Sequence, residues 1–208
     1  IQLWLDPSFG KVDADAEIKW LEPVTSSSPS YVIGWYYKTH VLRMLCEGRE
    51  PSFCLLDSYA RVLRPDLFNE TYHLLRKFPV CLALDPRRTL AAELQFGRGI
   101  SPEVTDDVKD IPRTFPLWNT GVIFTKPSED SQRLFTELET ICRGYLDRGL
   151  AFREQIGLVK AVLATEISPF TLPDNYNVRR PFVDPAIVLH TRRYGHFYGV
   201  PEVDTPVV

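Results

Sequence analysis

The chain has 208 residues but only four cysteines, and no two of them stand in a C-x-x-C spacing. Cys46, Cys54, Cys81 and Cys142 each sit among apolar residues, where a free cysteine behaves as a small buried hydrophobe. That pattern excludes a zinc ribbon and argues against a disulfide framework, so a reducing, cytoplasmic setting is the expectation. No apolar run approaches the roughly 20 residues that span a bilayer, and no secretory leader pattern is visible. Basic blocks are missing too, and the net charge is −3, so nucleic acid is not an expected partner. Neither G-x-G-x-x-G nor G-x-x-x-x-G-K occurs, which leaves a Gly-rich phosphate-loop protein without support. An initial Met is also lacking: the chain opens directly on IQLWLD, and residues preceding Ile1 are expected in the natural protein.

What is present is the ordinary composition of a globular protein, 44% apolar and 25% charged. IQLWL (1–5) and AEIKWLEPV (16–24) read as strands. After the polar turn TSSSPS, with Ser30 as a candidate cap, residues 31–46 place Ile33, Tyr37, Val41, Met44 and Leu45 at helical spacing. SFCLL (52–56) is short, apolar and bounded by Pro, the mark of a buried parallel strand. Asp66 opens a helix with Leu67, Phe68, Thr71, Leu74, Leu75 and Phe78 on one face. VCLAL (80–84) and GVIFT (121–125) are two further buried strands. Between them, 86–116 carries Pro, Gly and scattered charge with little periodicity, and reads as a long functional loop.

Ser128 and the acids after it mark a helix start. Leu134, Phe135, Leu138, Ile141, Cys142, Tyr145 and Leu146 follow as a long apolar stripe. A second helix is expected from about 152 to 164, then strands at 170–173 and 186–190. Strand and helix alternate, which predicts an α/β fold, a mixed, mostly parallel sheet flanked by helices.

In open α/β sheets, ligands bind beyond the carboxyl ends of the strands. Four predicted strands end in or beside polar groups there: Asp57, Asp85, the Asn119–Thr120 pair and His190. Carboxylate and imidazole suit a divalent ion, which can neutralise a diphosphate leaving group. Each residue also has a plainer reading, as a turn cap or a strand-end histidine. Asp13-Ala14-Asp15 forms a literal D-x-D. It follows a Gly-Lys turn and precedes an alternating strand, the setting of a solvated hairpin loop.

The stretch PSFCLLDSYARVLRPDLFNETYHLLRKFPVCLALDPR (51–87) resembles the central segment of nucleotide-sugar glycosyltransferases of the GT-A fold, in particular glycosyltransferase family 8. WNTGVIFTKPSEDSQRLFTEL is similar to their N-[ST]-G-V strand and following helix. REQIGLVKAVL resembles their D-Q helix with Glu154 for the usual Asp, and LPDNYNVR and AIVLH resemble their closing elements. The likeness runs in order over roughly residues 31–195. It departs in two places. The family's metal-binding D-x-D becomes Asp57-Ser58-Tyr59, and the base-gripping first strand–helix unit is not recognisable. On this likeness residues 1–208 form one glycosyltransferase-like domain.

The resemblance implies a nucleotide-sugar donor, UDP-linked by expectation, and a hydroxyl acceptor. It assigns donor contacts to Asp57, Tyr59, Lys38, Asp85, Arg87, Asn177, His190 and Arg192, and catalytic or acceptor-side roles to Glu154, Gln155 and Asn119, with Gly121 allowing close approach. A Mn²⁺ or Mg²⁺ ion would sit on Asp57 and His190. Phenol is a poor ligand for such an ion at neutral pH, so Tyr59 argues for weak or absent metal dependence, and Arg192 and Arg193 could hold a diphosphate instead. Solvated or helix-surface positions are the plain alternatives for Lys38, Glu154 and Gln155. A non-catalytic GT-A-like binding or scaffolding domain is the competing reading of the whole.

Overall fold

The computed structural model describes residues 2–5, 17–48, 51–57, 60–62, 64, 66, 68–96, 99–177 and 188–190. The strands are β1 (Gln2–Leu5), β2 (Glu17–Trp20), β3 (Phe53–Leu56), β4 (Ala60–Val62), β5 (Val80–Thr89), β6 (Pro116–Thr125), β7 (Phe170–Leu172) and β8 (Val188–His190). The helices are α1 (Ser30–Glu47), α2 (Phe68–Leu74), α3 (Leu90–Phe96), α4 (Pro102–Asp106), α5 (Glu129–Asp147) and α6 (Glu154–Thr165).

The central sheet has the order β3-β6-β5-β7. β6 runs antiparallel to both β3 and β5, and β7 is parallel to β5. β3, β5 and β7 therefore share one direction and β6 opposes them. Alternation along each strand sends residues to two faces. Phe53, Leu55, Val80, Leu82 and Ile123 meet the larger core with α1, α5 and α6, whereas Cys54, Leu56, Cys81, Ala83, Val122 and Phe124 meet a smaller one with Phe68, Tyr72 and Leu75. Helices cover both faces, as expected of the α/β class.

The clearest pattern in the sequence gives the clearest element. α5 buries Leu134, Phe135, Leu138, Cys142, Tyr145 and Leu146. Ser128 caps it: its hydroxyl accepts from the Ser131 N–H at 3.2 Å, while the Ser131 hydroxyl accepts from the Ser128 N–H at 2.9 Å, so two otherwise orphaned donors are satisfied. α6 is buried nearly all round from Glu154 to Val162, because it lies between α5 and β6. A side chain at Gly157 would bring its Cβ within 2.8 Å of Cys142 Sγ and 3.2 Å of Leu138 Cδ1. Glycine sets how closely α6 can approach α5.

α1 is tied to α5 by one carboxylate. Glu139 Oε1 accepts from the Tyr36 hydroxyl at 3.0 Å and lies 2.7 Å from His40 Nδ1, and Glu139 Oε2 pairs with Arg43. Burial works against the charged carboxyl, but these hydrogen bonds to His40, Arg43 and Tyr36 outweigh it and hold its pKa below the usual range.

Several expectations need correction. β1 and β2 pair in parallel, so they do not form a hairpin; Asp13 and Asp15 lie outside the described residues. Pro29, not Ser30, occupies the N-cap of α1, with no side-chain cap. Met44 is exposed, since the buried stripe of α1 runs instead through Val32, Tyr36, Val41, Leu42 and Cys46. The stretch 86–116 is no loop: it holds the end of β5, α3, α4 and the start of β6. α3 and α4 span only seven and five residues, too few for a period to emerge. α2 begins at Phe68, after Asp66, and Leu67 lies outside the described residues. All four cysteines are free.

Two outcomes follow for stability. Gly157→Ala lowers it by about 1 kcal/mol, overpacking exceeding the gain in helix propensity. Adding Cys142→Ala, which removes the clashing sulfur, recovers part of that loss in a denaturant-melt double-mutant cycle. Because the Glu139 pKa is depressed in the folded state, its contribution is complete above about pH 4.3 and fades as pH falls through the folded value. Glu139→Gln therefore shows a shallower acid-side loss of stability than the parent.

Candidate functional site

Opposed strand directions create the site. The carboxyl ends of β3 and β5 lie on the same edge, and the first half of β6 passes between them. The Asp57 N–H donates to the Gly121 carbonyl at 2.9 Å, and the Gly121 N–H donates to Asn119 Oδ1 at 2.8 Å. Asn119 and Thr120 lie within β6 rather than in a turn before it. α6 starts directly above them and presents Glu154 and Gln155 from its first turn, where the helix dipole favours a carboxylate.

Two linked polar clusters result. In the first, the Lys38 ammonium, from the middle of α1, sits 2.6 Å from Asp57 Oδ1 and 2.9 Å from Glu154 Oε1. Thr120 Oγ1 donates to the same Glu154 oxygen at 2.7 Å. The three charged side chains are nearly sequestered, Lys38 being 15% exposed, Asp57 10% and Glu154 7%. Burial opposes the lysine's charge, but Glu154 and Asp57 overcome it and push its pKa well above the ordinary value.

The second cluster centres on Asp85, which is fully buried. Its Oδ2 accepts from Gln155 Nε2 at 2.9 Å and from Asn119 Nδ2 at 3.2 Å, and its Oδ1 accepts from the Arg87 N–H at 2.9 Å. β5 slips register between Leu82 and Leu84 and again before Thr89, and Arg88 adopts a left-handed φ of 63°. Bulges of this kind re-aim side chains. Here the carboxylate reaches Gln155 on the α6 side of the sheet.

Beyond Asp85 lies a part that the residue pattern did not predict. Glu93, on α3, is fully buried between two guanidinium groups, with Arg87 Nη1 2.6 Å from Oε2 and Arg153 Nε 3.0 Å from Oε1. The second contact is a close ion pair without hydrogen-bond alignment. Burial raises the Glu93 pKa, only partly offset by Arg153 and Arg87. Arg153 also stacks over the Trp35 ring, 5.6 Å from its centroid. One signal was available: Leu90, Glu93 and Leu94 fall on a single helical face, so the acid points inward with the leucines.

The structure thus brings together Lys38, Asp57, Asp85, Arg87, Asn119, Thr120, Glu154 and Gln155, and adds Glu93 and Arg153. Lys38, Glu154 and Gln155 are core groups rather than solvated ones. Asn177 flanks the second cluster, donating from Nδ2 to the Leu84 carbonyl at 3.0 Å; its Oδ1 is buried without a hydrogen-bond partner among the described residues. His190 is placed by its backbone, in β8 opposite Ala60, which follows Asp57 by three residues. Tyr59, Arg192 and Arg193 lie outside the described residues. No cluster of three or more His, Cys, Asp or Glu side chains suited to a metal ion occurs among the described residues.

No protein-family model and no curated protein matches the chain. Among solved structures it is similar to the apo form of mouse xyloside xylosyltransferase 1, with a TM-score of 0.50 and 11% sequence identity, over 81% of this chain and 67% of that one. At this identity the likeness concerns the fold alone, a GT-A-like arrangement of a mixed four-stranded sheet flanked by helices. No helix among the described residues is long and apolar enough to cross a membrane.

The Lys38 triad carries a testable energetic consequence. Lys38→Met strands two nearly buried carboxylates beside each other and destabilises the protein by about 3 kcal/mol at pH 7. The lost counter-charge matters only where the carboxylates are ionised, so the variant's deficit is smallest below about pH 4 and widens as pH rises. In the parent, the raised lysine pKa keeps the triad's contribution intact up to about pH 10.4 and loses it only above that. Thermal melts of both proteins from pH 4 to 11 check the sign.

Proposed function

We propose that this chain is a glycosyltransferase domain that moves a sugar from a nucleotide diphosphate donor, a UDP-sugar, to a hydroxyl acceptor. One observation carries the reading. Six polar residues of the family-like motifs, spread from Asp57 to Gln155, converge with Lys38 where the carboxyl ends of β3 and β5 meet the start of α6. Ligands of open α/β sheets bind at that edge. The fold likeness to a xylosyltransferase supports the reaction class.

In this reading Asp57 and Asp85 contact donor hydroxyls. Asn119 and Gln155 present amides to the sugar while holding the Asp85 carboxylate oriented. Glu154, fixed by Thr120 and Lys38, is the acid nearest the acceptor and orients its hydroxyl. The buried Asn177 Oδ1 is an acceptor for a ligand N–H or O–H. A second reading, a non-catalytic domain with the same fold, is favoured by one feature: Lys38 already neutralises part of the Asp57 and Glu154 charge without any ligand.

Calorimetric titration with UDP and a panel of UDP-hexoses and UDP-pentoses, followed by assay of sugar release, separates the two. The enzyme reading expects saturable binding of at least one donor. Asp57→Asn weakens that binding about tenfold, a loss of some 1.4 kcal/mol. Glu154→Gln leaves it within about threefold but lowers turnover about 100-fold or more. Binding without turnover supports a non-catalytic binding domain, and no binding to any donor overturns the enzyme reading and leaves the scaffolding one.

A further inference from the structure

From the Lys38 triad we infer that this site carries its own cation. The Lys38 ammonium stands in the position from which a divalent ion would hold Asp57, and it thereby excludes one. The inference deepens the glycosyltransferase reading, since it concerns the same pocket, but its observations are independent of any donor.

Three facts support it. Asp57, the residue the family resemblance assigns to metal, is engaged through Oδ1 at 2.6 Å by a nitrogen that bears a full positive charge. The same nitrogen binds Glu154 at 2.9 Å, so the ammonium cross-links the end of β3 to the start of α6 as a bridging ion would. Ligands for a hard divalent cation are oxygens supplied in numbers, and the residue two positions after Asp57 is Tyr59, whose neutral phenol is a poor substitute. A divalent ion on Asp57 would lie within a few ångströms of the ammonium, where like charges repel strongly in a site so sheltered from water.

Lys38 reaches this position because of how α1 is seated. Tyr36, His40 and Arg43 converge on Glu139 of α5, and that contact fixes the rotation of α1 about its own axis. Val41 and Leu42 lie in the core, and Lys38 projects between β3 and α6. The side chain is held as part of the framework, so its charge is present whether or not a ligand is bound.

The test is uptake of Mn²⁺, followed by loss of the free-ion paramagnetic resonance signal, for the intact chain with and without UDP. The unaltered protein is expected to take up no Mn²⁺ through Asp57 at free concentrations to about 1 mM, a Kd no tighter than that. Lys38→Ala, which removes the ammonium from both carboxylates and opens room, is expected to gain Mn²⁺ affinity about tenfold or more, and adding Asp57→Asn abolishes the gain. Lys38→Gln keeps the length of the side chain without its charge, and serves if the Ala variant fails to fold by circular dichroism; Lys38→Arg keeps the charge and gains nothing.

Uptake by the unaltered protein that Asp57→Asn removes, in either condition, overturns the inference. So does a folded Lys38→Ala or Lys38→Gln protein that takes up no more Mn²⁺ than the parent. If UDP fails to bind while the Lys38 variants still gain Mn²⁺, the resident cation stands and the glycosyltransferase reading falls. If UDP binds equally in EDTA and the variants gain Mn²⁺, both stand.

Discussion

A carboxylate taken out of water must be met by opposite charge or by hydrogen-bond donors, and this fold sequesters four of them in one place. Asp57 and Glu154 share Lys38; Asp85 draws on two side-chain amides and a backbone N–H; Glu93 lies between Arg87 and Arg153. The partners come from α1, β5, β6, α6 and the approach to α6. No element of the larger core can therefore move far without exposing or stranding a charge. The packing of α1, α5 and α6 and the geometry of the site are one problem with one solution.

That arrangement also explains the unusual status of α6. A helix hydrophobic on all sides is ordinarily a core helix with nothing to say about chemistry. Here its body is apolar and its first turn is polar. Gly157 lets the body lie close to Cys142 and Leu138, and that depth of seating brings Glu154 and Gln155 down to β6 and β5. Adjacent residues then serve different clusters, one joined to β3 through Lys38 and the other to Asp85.

Much of the framework was legible in the residues. The stripe from Leu134 to Leu146 and the Ser128 start signal gave α5, because one-sided burial leaves a 3.6-residue period and a cap leaves a hydroxyl. The acids at strand ends, Asp57 and Asp85, were visible because apolar runs stop at them. What could not be read was set by tertiary contacts. α3 and α4 are too short to show a period. The parallel pairing of β1 with β2 leaves no mark on either strand. Lys38 resembled a surface residue because the two carboxylates that hold it lie 19 and 116 positions away. Glu93 and Arg153 were missed for the same reason: a buried ion pair spends ordinary surface residues in the interior, and only the inward-facing leucines beside Glu93 hinted at it.

The burial of the cysteines has a practical side. Burial raises the pKa of all four thiols, to about 11 at Cys46 and about 12 at Cys81, and well above the ordinary thiol value at Cys54 and Cys142. Since the thiolate is the reactive species, an alkylating reagent meets almost none of it while the fold is closed. Each sulfur thus acts as a clock for the opening of its own neighbourhood: Cys54 for the strand that ends in Asp57, Cys81 for the strand that ends in Asp85, Cys46 for the end of α1, and Cys142 for the seam that seats α6. Mass-resolved labelling rates would rank the order in which the walls of the site come apart, with no probe added to the chain.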